Sequence, residues 1–144
     1  MEKLLYETDF NLWIEQTIEN LKQGNLQALD LEHLIEEIES MGSSDRREIK
    51  SRLIVLLIHL LKYQYQPQKR SRSWLSTINT QRNEIELVLE DSPSLRPYLN
   101  DQLMACYEKA RKGAAKETNL VLDTFPINCP FSTEQILDLD YLPE

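Results

Sequence analysis

Apolar residues recur along this chain at intervals of three and four, the period of a helix with one buried face. Phe10, Trp13, Ile14, Thr17, Ile18 and Leu21 mark a first helix, and Gly24 is a suitable stop. Asp30 then offers an N-cap, with Leu29 and Leu34 placed as a hydrophobic staple, and Leu31, Leu34, Ile35, Ile38 and Met41 stripe a second helix. Gly42-Ser43-Ser44 reads as its end, and Asp45 with Glu48 three residues later reads as the capping box of a third. That third helix should run to about Gln66, where Pro67 forbids continuation. So short a link predicts that helices two and three form a central antiparallel hairpin.

Downstream, Ser71 or Ser73 can cap a fourth helix carrying Trp74, Leu75, Ile78, Ile85, Val88 and Leu89. Asp91-Ser92-Pro93-Ser94 breaks and restarts the chain, and a fifth helix carries Leu95, Leu99, Leu103, Cys106, Ala110 and Ala114. The Phe125–Phe131 segment, pinned by Pro126 and Pro130, should be extended, with both phenylalanines buried and side chains satisfying its backbone. Ser132 with Gln135 can cap one short closing helix. No strand-like alternation and no repeat occurs. The expected fold is all-α: one domain over residues 1–144, a compact bundle of five main helices plus a short C-terminal one.

Composition narrows the class. Hydrophobic residues make up 41% of the 144 and only three are glycine, which argues against disorder. The longest apolar run, Leu53–Leu61, is far short of the roughly twenty residues of a membrane span. Cys106 and Cys129 belong to no Cys-x-x-Cys or Cys/His cluster and read as reduced thiols of an intracellular, cytoplasmic protein. The N-terminus lacks a basic start followed by an apolar run, so no signal peptide is expected.

The net charge of −8 is unevenly spread: −8 over residues 1–40, +7 over 41–82 and −7 over 83–144. The basic middle either pairs with its acidic neighbours inside the fold or presents a face to nucleic acid, which the overall acidity disfavours.

Polar residues in the apolar middle concentrate the candidate chemistry. Across the expected hairpin Glu39 would lie level with about Arg47, and Glu36 with about Lys50. Glu36 and Glu39 are therefore binding candidates, read first as interhelical ion pairs. A metal is not expected: helix-bundle sites use Glu-x-x-His motifs, and this chain has only the reversed His33-Leu34-Ile35-Glu36. Arg52 and His59 are two helical turns apart and Lys62 extends their line, a spacing that matches the loose Arg-x6-His motif of the HEPN ribonucleases. There Arg52 would stabilise phosphate charge and His59 would move the proton. The motif's usual polar residue after the arginine is replaced by Leu53, and His59 reads more readily as a hydrogen-bonded core histidine than as a base. Arg72 and Trp74 close a basic–aromatic stretch that suits nucleic acid or merely a loop with an anchor. Arg82 falls on the apolar stripe between Ile78 and Ile85, so it should enter the bundle and meet a carboxylate.

Several longer words are shared with a known family. They are Tyr6-Glu7-Thr8-Asp9-Phe10-Asn11-Leu12-Trp13, Leu34 to Gly42, Ser51-Arg52-Leu53, Leu56 to Lys62, Arg72-Ser73-Trp74, Gln81-Arg82 and Cys129-Pro130-Phe131. In this order they resemble the mainly cyanobacterial family catalogued as domain of unknown function 29, over essentially the whole chain. The resemblance implies an all-helical fold and a cyanobacterial origin, and carries no activity.

These observations favour a non-enzymatic binding or protein-interaction module without a cofactor, engaging a protein partner or a second copy as a homodimer, with no membrane contact. The alternative is a nucleic-acid-binding protein or a metal-independent ribonuclease using Arg52, His59 and Lys62.

Overall fold

The computed structural model describes residues 4–144, and all regular structure among them is helical. Their contacts fall into two units, Met1–Ser44 and Asp45–Glu144.

The first unit holds α1 (Leu5–Thr8), α2 (Phe10–Gln23), a 3-10 turn (Leu26–Ala28) and the first part of α3 (Leu31–Tyr65). Asp9 caps α2, its carboxylate accepting from the Leu12 amide. Gly24 ends it with φ 72°, a left-handed conformation that an L side chain would strain. Asp30 starts α3 as expected, accepting the His33 amide at 3.3 Å. The only buried residues in α1 and α2 are Trp13 and Thr17.

The hairpin is overturned. Gly42, Ser43 and Ser44 lie inside α3, which runs unbroken over 35 residues. A helical glycine costs about 1 kcal/mol and serines less, whereas two new helix ends would orphan up to four amides and four carbonyls. Strong helix formers on both sides therefore carry the helix through, and Gly42 keeps an ordinary negative φ. Asp45 and Glu48 form no capping box; the described residues hold six helices, four of them long, roughly the count expected of the all-α fold.

The second unit contains the rest of α3, a 3-10 turn opened by Pro67, α4 (Arg72–Asp91), α5 (Leu95–Thr118), a further turn (Leu122–Thr124) and α6 (Thr133–Leu137). Ser71 caps α4 through the Trp74 amide, and Pro97 is tolerated in the first turn of α5, where its missing N–H would have had no partner. The Ser132–Gln135 capping box forms in both directions. The core is built on Leu53, Leu56, Leu57, Leu60 and Leu61 of α3, with Ile78 and Ile85 of α4 and Ala110 and Ala114 of α5. Small residues let α5 approach closely: a Cβ on Gly113 would come within 2.8 Å of Ile58 Cδ1.

Phe125 and Phe131 are buried, as the sequence predicts; the segment between them bends rather than running straight, and α5 satisfies two carbonyls at its start. Tyr107 donates its hydroxyl to the Pro126 carbonyl at 2.6 Å, and Arg111 Nε donates to that of Phe125 at 2.9 Å.

Candidate functional site

Arg52, His59 and Lys62 all belong to α3 in the second unit, and each is already engaged. Arg52 Nε donates to Glu48 at 2.9 Å and Nη1 to Gln81 of α4 at 3.3 Å, while Nη2 lies 3.7 Å from Glu84. Two carboxylates thus compensate a guanidinium that the ribonuclease reading needs for phosphate. His59 Nδ1 sits 2.9 Å from the Val55 carbonyl. A carbonyl only accepts, so the proton belongs on Nδ1 and Nε2 is the remaining nitrogen. Lys62 Nζ meets Glu117 of α5 at 3.1 Å and stands 4.8 Å from the Trp74 ring centre. The sequence candidates Lys62 and Trp74 are therefore brought together, as a cation–π contact of α3 with α4. Arg72 is exposed in the first turn of α4.

Arg82 enters the core as expected, at 1% exposure, but its partners differ. Nε donates to the Ile136 carbonyl at 2.8 Å and Nη2 to that of Gln135 at 3.1 Å. These oxygens belong to the last turn of α6, where helix carbonyls have no internal partner. The expected carboxylate is replaced by a clamp on the C-terminal segment. Burial pushes the Arg82 guanidinium below its ordinary pKa, and the Asp138 charge opposes that. Arg70, half-buried, works similarly: Nε donates to the Tyr63 carbonyl at 2.7 Å and Nη2 to that of Pro143 at 3.4 Å.

Glu36 and Glu39 are exposed on α3 in the first unit. Their expected pairing with Lys50 and Arg47 disappears with the hairpin, since the partners are fourteen and eight residues along one helix. A different cluster forms beside them. Tyr6 stacks on His33 with ring centres 4.0 Å apart, meets Trp13 edge-on at 4.9 Å, and donates its hydroxyl to Glu37. His33 Nδ1 donates to Asp30 Oδ2 at 2.6 Å. The Asp30 carboxylate holds the His33 pKa above its ordinary value, and that same hydrogen bond holds Asp30 below its own. Glu37 pushes the Tyr6 phenol up to about 12. Among the described residues, no three His, Cys, Asp or Glu side chains converge where they could hold a metal. No helix described is long and apolar enough to cross a membrane.

The family model for the domain of unknown function DUF29 matches residues 5–142, nearly the whole chain. The chain belongs to the DUF29 family. No curated protein and no solved structure matches it. The DUF29 words identified in the sequence now have physical content. Tyr6, Trp13 and Glu37 build the first unit's cluster; Arg52 and Lys62 tie α3 to its neighbours; Arg82 clamps α6.

Sequence reasoning missed Tyr6, His33 and Arg70 as organising residues. Asp30 three residues before His33 was a usable local signal. Arg70 with Pro143 spans 73 residues, which no local pattern encodes.

Proposed function

We propose that this DUF29 protein is a non-enzymatic interaction module of the cytoplasm that self-associates through the apolar face of its first unit. One observation carries this reading: Leu31, Ile35, Ile38 and Met41, at successive four- and three-residue steps on α3, are 58%, 54%, 60% and 67% exposed. Scattered exposed apolar residues are ordinary, but a stripe at helical spacing matches the anchors of helix–helix association. Phe10, Ile18 and Leu21 of α2 are exposed as well, in a unit with little core of its own. The partner commitments of Arg52 and Lys62 support structural roles over a reaction.

Residues 1–40 carry −8, so two such faces bring like charges to the rim while apolar contact holds them. Association should therefore strengthen as salt screens the repulsion. Sedimentation of the full chain over a concentration series, at low and high salt, tests the proposal. A dimer promoted by salt, reduced to monomer by Ile35→Glu with Ile38→Glu, is expected. A wild type that stays monomeric throughout contradicts it.

A further inference from the structure

The second unit holds a recess of about 270 Å³ between α3 and α5, lined by none of the residues proposed for self-association. Arg47 and Lys50 of α3 and Lys109 of α5 line it, with Ser51 and Gln102 as neutral donors. No carboxylate lines it, although acids outnumber bases 24 to 16 in the chain. Among the described residues these three cations have no carboxylate within 4 Å, as is also true of Arg46, Arg72 and Lys116 in the same unit; what sets them apart is the recess they share. Glu48, close in sequence, is taken by Arg52. The floor includes Cys106, which is buried with Sγ 3.9 Å from the Lys50 carbonyl. Burial raises its pKa, so the thiol stays neutral and supplies no counter-charge.

We propose that this recess binds the dianionic head of a phosphate monoester. Three exposed cations lining one recess match its charge and oxygens. The volume lies just under the 300–1,000 Å³ of pockets that enclose whole drug-sized ligands, which suits a head group with the remainder outside. No aromatic side chain lines the recess, so it lacks the stacking platform that single-stranded nucleic acid uses. The shared chemistry is the monoester, whether on a sugar or on a nucleoside.

The test titrates the full chain at low salt, by calorimetry and amide NMR, with inorganic phosphate, a sugar phosphate, a nucleoside 5′-monophosphate and a 5′-hydroxyl RNA oligomer. Saturable binding of at least one monoester is expected, with amide shifts at residues 47–51 and 102–109. Lys50→Gln with Lys109→Gln should weaken it by about tenfold or more, while the charge-matched Lys112→Gln with Lys116→Gln changes it less than about threefold. Should the double variant fail to fold, Gln102→Glu, which places a carboxylate in the recess, must weaken binding similarly. Absence of saturable binding, equal loss in the charge-matched control, or tighter binding of the RNA oligomer than of any monoester overturns the proposal.

Discussion

Replacing Arg82 with alanine should release the C-terminal segment from the second unit. The guanidinium is almost wholly buried and makes two hydrogen bonds, at 2.8 and 3.1 Å, to carbonyls ending α6. A bond from a charged donor contributes about 1.5–3 kcal/mol, which gives about 3–6 kcal/mol for the pair. Removing the charge recovers part of its desolvation cost, but it strands two carbonyls and leaves a cavity. The net expectation for Arg82→Ala is a loss of about 3–5 kcal/mol. Arg82→Lys, whose ammonium lacks the fork geometry, should lose roughly half of that. Urea unfolding followed by circular dichroism gives the free energies. Amide exchange at Ile136 and Asp138, which donate to the Ser132 and Glu134 carbonyls in the bonds at the two ends of α6, shows where the loss falls. A loss below about 1 kcal/mol, with those amides as protected as in the wild type, would refute the clamp.

Gly42→Ala should stabilise the protein by up to about 1 kcal/mol, because Gly42 sits in a helix with negative φ; destabilisation would indicate a left-handed turn there. Tyr107→Phe removes the hydroxyl bound to Pro126 and should cost about 1–1.5 kcal/mol by urea unfolding, an unchanged midpoint speaking against that bond. His33, held above its ordinary 6.5, contributes stability that is complete below that value and is lost as pH rises through the raised one. Asp30, held below 3.8, contributes above that value and loses its contribution as pH falls further. The pair is therefore intact between the two, and NMR titration of His33 should give a midpoint above 6.5 that drops in Asp30→Asn; a midpoint indifferent to that substitution rejects the pairing.

What could be read from the sequence follows the range of the interaction. Ser132 with Gln135, Ser71 before α4 and Pro67 after α3 act within one helical turn, and the structure uses each as its local chemistry suggests. Gly42-Ser43-Ser44 misled because its cost of about 1 kcal/mol is real but smaller than that of two new helix ends. The burial of Arg82, Phe125 and Phe131 was legible from periodicity and apolar character. Their partners were not: the Arg82 carbonyls lie 53 and 54 residues away, and the carbonyls above Tyr107 and Arg111 come from a segment without regular structure. The spacing of Arg52, His59 and Lys62 was visible, whereas the carboxylates that occupy Arg52 and Lys62 are a property of the packed helices.

The central claim is that the first unit's apolar stripe is an interface between copies. Isotope-filtered NMR on an equal mixture of labelled and unlabelled full chain reads that contact directly. The account predicts intermolecular Overhauser contacts to the methyls of Leu31, Ile35, Ile38 and Met41, fading on dilution and absent in Ile35→Glu with Ile38→Glu. Absence of such contacts at concentrations where sedimentation shows a dimer, or their appearance only on residues of the second unit, would contradict it.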